Sequence, residues 1–120
     1  MPGFLTTHVL DTARGCPAEG IEIWLYRVTG NSHKKIATAV TNADGRCDAP
    51  ILEGTAFRAG TYELIFHVEA YLRSHGLVDG VEEPLFLTQV PLRFGINDAD
   101  SHYHVPLLLS PFGYSTYRGS

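Results

Sequence analysis

Apolar and polar positions alternate along most of the chain, with a period of two. In residues 21–28, Ile21, Ile23 and Leu25 fall on one side and Glu22, Trp24 and Tyr26 on the other, the pattern of a strand with one buried face. Residues 5–10, 36–41, 61–68, 85–94 and 103–109 also read as strands, and the β-prone run 114–120 continues them as the last strand. Breakers separate these runs. Residues 12–20 form a loop holding Gly15, Pro17 and Gly20, Gly30-Asn31 and Phe112-Gly113 are turns, and residues 77–84 form another loop. Asn42-Ala43-Asp44-Gly45 is the strongest turn signal, because the glycine of Asp-Gly supplies the positive φ that a tight turn requires. The period changes once, at residues 69–76, where Tyr71 and Leu72 followed by Gly76 predict a short helix closed by a glycine cap. Seven to eight strands divided by turns every ten or so residues predict an all-β antiparallel sandwich. The chain shows no internal repeat, low-complexity segment or linker, so residues 1–120 are expected to form a single domain.

Composition narrows the function classes. A chain of 120 residues buries roughly 65% of its unfolded surface on folding, and 44% apolar with 18% charged residues are globular values. The net charge of −4, with Lys34-Lys35 only an isolated pair, argues against a nucleic-acid partner, since the phosphate backbone rewards concentrated Lys and Arg. No stretch has the length of a bilayer span, so no membrane partner is expected. Met1-Pro2-Gly3-Phe4-Leu5 has neither a basic n-region nor a long apolar h-region, and the chain does not end in Ser-Lys-Leu; a cytoplasmic protein is expected. Cys16 and Cys47 fall in predicted turns without CxxC spacing, which points to reduced thiols and no zinc site.

Six histidines carry most of the candidate chemistry. His33 and His75 fall in a turn and at a helix end, where a solvated surface role is expected. His67 lies within a strand as an ordinary sheet histidine. His8 shares one face of the first strand with Thr6 and Leu10, a position that fits a surface face or a site. His102 and His104 share one face of the penultimate strand, because side chains repeat every two residues. Tyr103, Val105, Leu107 and Leu109 then form its buried face, and His104, Pro106 and Leu108 the other. Apolar residues on both faces require a cover, so the outer face should meet another subunit, with a partly desolvated histidine on it. The HxH spacing also suits a metal, but a third ligand is needed and only Asp98 and Asp100 are near. Arg46 follows the Asp-Gly turn and by itself reads as a solvated arginine. No GxSxG, phosphate-binding glycine loop or paired carboxylate spacing occurs. The tail Tyr114-Ser115-Thr116-Tyr117-Arg118-Gly119-Ser120 directly follows an apolar strand pattern. It points to a chain that is ordered, and used, to its last residue.

Four motifs go further. Leu5-Thr6-Thr7-His8-Val9-Leu10-Asp11-Thr12-Ala13-Arg14-Gly15-Cys16-Pro17-Ala18 resembles the N-terminal signature of the 5-hydroxyisourate hydrolases, the transthyretin-related enzymes of urate breakdown. Thr41-Asn42-Ala43-Asp44-Gly45-Arg46, His102-Tyr103-His104-Val105-Pro106-Leu107-Leu108 and the ending Tyr117-Arg118-Gly119-Ser120 are similar to their other three motifs, in order. Transthyretin, the carrier of the same fold, looks different: it lacks histidine at the His8 and His104 positions, arginine at the Arg46 position and the final motif.

The resemblance implies a transthyretin-like sandwich that hydrolyses 5-hydroxyisourate to 2-oxo-4-hydroxy-4-carboxy-5-ureidoimidazoline. It implies a homotetramer, a dimer of dimers, with its sites in a channel between dimers and with no metal or cofactor. His8, Arg46, His104 and Ser120 carry over as catalytic residues. His8 and Arg46 also contact substrate, and Tyr117 and Arg118 line or support the site. Amide hydrolysis needs a base for water and donors for the oxyanion; two histidines can share a water, and a nearby arginine favours their neutral form. Two other readings stay open: a transthyretin-like small-molecule binding protein without catalysis, and an interaction protein whose tail builds an interface.

Overall fold

The computed structural model describes residues 2–119, in which nine strands form two packed sheets. In chain order these are β1 (Phe4–Asp11), β2 (Cys16–Pro17), β3 (Glu22–Thr29), β4 (Ser32–Val40), β5 (Leu52–Glu53), β6 (Gly60–His67), β7 (Gln89–Ile96), β8 (His102–Ser110) and β9 (Gly113–Thr116). One sheet has the order β2-β1-β8-β9, with β5 also paired to β1; the other has the order β4-β3-β6-β7. The core lies between them. Leu5, Thr7 and Val9 of β1 and Tyr103, Val105, Leu107 and Leu109 of β8 face Ile23 and Leu25 of β3 and Tyr62, Leu64 and Phe66 of β6. The alternation expected for β3 and β8 is the alternation observed, because each strand has one face on this core.

The all-β sandwich with one short helix is as expected, but one pairing is not antiparallel. Strands β1 and β8 run parallel, from Phe4 opposite His102 to Asp11 opposite Leu109. No hairpin joins them; the whole second sheet intervenes, and only a long connection allows a parallel pair. Two boundaries also shift. Strand β4 starts at Ser32 rather than at residue 36, and its register with β3 slips between Leu25 and Tyr26. That slip leaves Ile36 without an opposite residue and exposed. Strand β7 starts at Gln89 rather than at residue 85. Leu85 and Leu87 alternate with exposed Phe86 and are buried like strand residues, yet they belong to a loop that caps the core. Cys16 lies in β2, not in a turn, and both cysteines are free thiols.

The helix α1 (Glu69–Ser74) buries Tyr71 and Leu72 and is followed by Gly76 at φ +68°, the left-handed residue that stops it. A buried polar contact ties it to the end of β1. The Tyr71 hydroxyl donates to Asp11 Oδ2 at 2.6 Å, and the Arg14 amide donates to Asp11 Oδ1 at 2.9 Å. Arg14 Nη1 donates to the Tyr71 oxygen at 3.1 Å. Burial, then the bond to Asp11, pushes the Tyr71 phenol up to about 12. Among the described residues no helix is long and apolar enough to cross a membrane. Asp11→Ala should strand the Tyr71 hydroxyl and the Arg14 amide. We expect a loss of about 1–3 kcal/mol in denaturant unfolding, the cost of buried groups left unpaired; an unchanged midpoint would show that the contact does not anchor the helix.

Candidate active site

The outer face of the β1–β8 pair carries Phe4, Thr6, His8 and Leu10 beside His102, His104, Pro106 and Leu108. Each pair follows from the register: Thr6 opposes His104, His8 opposes Pro106 and Leu10 opposes Leu108. His8 and His104, 96 positions apart in sequence by their numbers, are thus diagonal neighbours on one surface, within side-chain reach of each other.

The Asp-Gly turn delivers Arg46 to the same place. The Asn42 side-chain oxygen accepts from the amides of Asp44, at 2.9 Å, and Arg46, at 3.2 Å, the local bonding that makes Asn a turn residue. Gly45 takes φ +75°, and its carbonyl accepts from the Val9 amide at 2.8 Å. Arg46 then pairs with His8 in an isolated antiparallel bridge. A side chain at Gly45 would collide, since its Cβ would lie 2.5 Å from the Val9 carbonyl oxygen and 3.2 Å from His8 Cδ2.

The tail approaches the other histidine in the same manner. Beyond β9, the Gly119 amide donates to the His104 carbonyl at 2.7 Å. A Cβ on Gly119 would stand 2.6 Å from His104 Cδ2, so only glycine lets the chain pass there.

A cavity of about 280 Å³ opens among Thr6, Arg46, Cys47, Ala49, His102 and His104. Both candidate histidines are held below their ordinary pKa of 6.5. Burial is the larger cause in each, and the positive charge of Arg46 is the second. His102 and His8 lower His104 further, whereas a backbone hydrogen bond at Asp44 and the Asp44 charge partly restore His8. Both shifts favour the uncharged imidazole, the form able to accept a proton.

Within one chain the structure brings His8, Arg46 and His104 together. It does not bring Tyr117 and Arg118 into that cavity. They line a second one, of about 510 Å³, at the edge between the sheets, with the Arg118 guanidinium 4.0 Å above the Tyr103 ring. Ser120 lies outside the described residues. His33 and His75 are exposed, as expected; His33 Nε2 lies 2.7 Å from Glu63, and His75 Nδ1 lies 3.0 Å from Arg14. His67 packs on Trp24. Asp98 is engaged within its own loop, accepting from the Ser101 hydroxyl at 2.6 Å and the Asp100 amide at 2.9 Å. Among the described residues no three His, Cys, Asp or Glu side chains cluster as a metal site would require.

Cys47 and Thr6 are among the cavity residues that the sequence did not assign to a site. Cys47 lines the cavity as a thiol whose pKa is raised by burial. Thr6 has its hydroxyl within hydrogen-bond distance of both His102 and His104. Its only signal in the sequence is the face it shares with His8.

Residues 5–119 match the HIUase/Transthyretin family model. The chain is 63% identical over 118 residues to 5-hydroxyisourate hydrolase 2 of Rhizobium meliloti, covering 98% of this chain and 97% of that protein. The crystal structure of (S)-allantoin synthase is similar with a TM-score of 0.91 and 48% identity over 99% of this chain, which spans 44% of that one. Klebsiella pneumoniae 5-hydroxyisourate hydrolase is similar with a TM-score of 0.79 and 36% identity, covering 98% of this chain and 99% of that one.

Replacing Arg46 by Gln removes the positive neighbour while leaving the turn. The imidazolium forms then become easier to make, so the His8 and His104 titration midpoints should both rise toward 6.5. Proton NMR of the imidazole Cε1–H signals reads this directly. Midpoints that stay in place would assign the depression to burial alone.

Proposed function

The chain belongs to the HIUase/Transthyretin family, and on that premise we propose that it hydrolyses 5-hydroxyisourate to 2-oxo-4-hydroxy-4-carboxy-5-ureidoimidazoline, a step of urate breakdown. The observation that carries the reading is the arrangement of His8 and His104 on one sheet face, both held below their ordinary pKa by burial and by Arg46. A neutral imidazole takes a proton from water as the water oxygen attacks the ring amide carbonyl. The Arg46 guanidinium offers paired donors to the carbonyl edge, where negative charge develops. The same imidazole then returns the proton to the leaving nitrogen. Ser120 belongs to the proposed catalytic set as a hydroxyl donor to the substrate, because Gly119 runs directly against His104. Tyr117 and Arg118 are proposed to support the tail from the second cavity that they line.

The test is ultraviolet loss of freshly made 5-hydroxyisourate against its spontaneous decay. The protein should accelerate it. His8→Ala and His104→Ala should each lower turnover by roughly 10²- to 10⁴-fold, the range of one general acid–base group, with the melting temperature unchanged. Deleting Ser120 should cost about tenfold or more, on the order of 1.4 kcal/mol. A wild-type decay rate equal to the spontaneous one would favour a binding protein without catalysis.

The assembly is proposed to be a homotetramer built as a dimer of dimers. Leu10 and Leu108, both half-buried, stand opposite each other on the face that also bears the two histidines, beside Pro106, which is buried within the chain; apolar side chains left partly in water on such a face favour a covering subunit. Leu108→Glu should dissociate the assembly and abolish turnover together, as read by sedimentation and the hydroxyisourate assay. A fully active monomer at the concentration of the assay would exclude the tetramer.

A further inference from the structure

The Thr6 hydroxyl stands between two imidazoles, with Oγ1 2.7 Å from His102 Nε2 and 2.8 Å from His104 Nδ1. A hydroxyl has one proton to donate, so it gives to one ring and accepts from the other. Two neutral arrangements satisfy this. In one, His104 Nδ1–H donates to Thr6 and Thr6 donates to a bare His102 Nε2; His104 Nε2 is then a free base. In the other, His102 Nε2–H donates to Thr6 and Thr6 donates to His104 Nδ1; His104 Nε2 then carries the hydrogen and is an acid. The tautomers of the two rings are therefore linked through a single oxygen.

The surroundings hold this chain in place. The Phe4 ring stacks on His102 at 4.1 Å and 15°. Phe4 opposes His102 and Thr6 opposes His104 in the parallel register, so the backbone fixes where all four side chains start. His102 is exposed and His104 is half-buried, and Thr6, His102 and His104 all line the cavity that holds Arg46.

We propose that Thr6 and His102 form a proton relay for His104: Thr6 is the positioning hydroxyl that sets the tautomer of His104, and His102 is the outer terminus that takes up charge. The inference rests on the hydrolytic reading above and assigns its base. As water attacks, its oxygen forms the bond to the carbonyl carbon, the carbonyl π pair moves to oxygen, and the released proton goes to His104 Nε2. The Nδ1 proton of His104 passes to Thr6 Oγ1 while the hydroxyl proton of Thr6 passes to His102 Nε2. His104 is again neutral, now with hydrogen on Nε2, and His102 is the imidazolium. When the carbon–nitrogen bond breaks, His104 Nε2–H protonates the leaving nitrogen, and the two relay protons return to Thr6 and to His104 Nδ1. Water has then been added across the amide, and the resting tautomers are restored.

Electrostatics favour the transfer. His8 from β1, Arg46 from the Asp-Gly turn and His102 from its own strand all act against positive charge on His104, after burial. Moving the charge to the exposed ring takes it away from the buried end of the cavity.

The experiment compares Thr6→Val, Thr6→Ser, His102→Gln, the Thr6→Val/His102→Gln double variant and His104→Ala in the hydroxyisourate assay, with kcat and KM measured across the range in which histidine titrates. Thr6→Val, nearly isosteric, should lower kcat by roughly 10²-fold, the lower end of acid–base catalysis, with KM little changed and the acid limb displaced. Thr6→Ser should restore both. His102→Gln should lower kcat alone, and the double variant should be no worse than the more damaging single one, since members of one relay do not add. A wild-type kcat and pH profile for Thr6→Val, beside an inactive His104→Ala, would overturn the relay and leave the hydrolytic reading intact. Additive losses in the double variant would overturn it as well. A fully active His104→Ala would overturn the relay and the hydrolytic role of His104 together. If Thr6→Val fails to fold, His102→Gln and Thr6→Ser carry the comparison: the relay then stands or falls on the loss of kcat in the first and its retention in the second.

Discussion

Strands β1 and β8 come from opposite ends of the chain and lie side by side in parallel over eight residue pairs, and this register decides where every candidate group stands. On its inner face it sends Leu5, Val9, Leu107 and Leu109 into the core. On its outer face it sets Thr6 against His104 and His8 against Pro106. A slip of one residue would exchange the faces of a strand. It would expose leucines and valines worth about 1.5–3 kcal/mol each when buried, and it would bury the imidazoles. The packing of the core and the assembly of the site are therefore selected by one constraint, and the core supplies the energy that enforces it.

Two backbone approaches complete the surface, and both depend on the absence of a side chain. Gly45 lies against His8 and Gly119 against His104. In each case the neighbouring chain makes a hydrogen bond to the strand, to the Gly45 carbonyl from Val9 and from the Gly119 amide to the His104 carbonyl. Imidazoles on an open sheet would explore several rotamers. Here each is hemmed by a backbone that is itself pinned to the strand, and His104 is tied at Nδ1 by Thr6 as well. Preorganisation of this kind comes from sheet edges and turns rather than from a buried pocket, which suits residues that must stay half-open to a substrate.

Much of this was legible in the sequence where the cause is local. The period of two assigned the inner and outer faces of β3 and β8, Gly76 marked the end of the helix, and Asp44-Gly45 marked the turn that positions Arg46. The tail read as a continuation of the strand pattern, and the Gly119 amide does meet His104. What the pattern could not supply was non-local. The parallel sense of β1 and β8 depends on a connection that runs through the other sheet. Thr6 gained its place only from a register between residues 98 positions apart, and alternation alone says which face a residue is on, not what lies opposite. The start of β7 was hidden because Leu85 and Leu87 are buried in alternation without being paired. Ile36 reads as the first residue of a strand but sits at the register slip inside one. The grouping of His8, Arg46 and His104 was reached through resemblance, since no local rule links a strand, a turn and a second strand.

The electrostatic character of the site follows from the same geometry. Three basic groups, His8, Arg46 and His104, share a face, while the carboxylate of Asp98 is held within its own loop. Such a cluster cannot carry three positive charges at neutral pH without mutual repulsion. Burial first, and the positive charge of Arg46 second, hold both histidines below their ordinary pKa. The arrangement sets a guanidinium donor beside two imidazoles whose neutral form is favoured, a combination suited to receive a developing oxyanion and a water proton at once. An acidic partner beside either histidine would stabilise its imidazolium and remove the base; Asp44, the nearest such influence on His8, acts only against the larger effects of burial and Arg46. His104 has no carboxylate among the groups that shift it, so of the two histidines it is the one whose neighbours oppose protonation without exception.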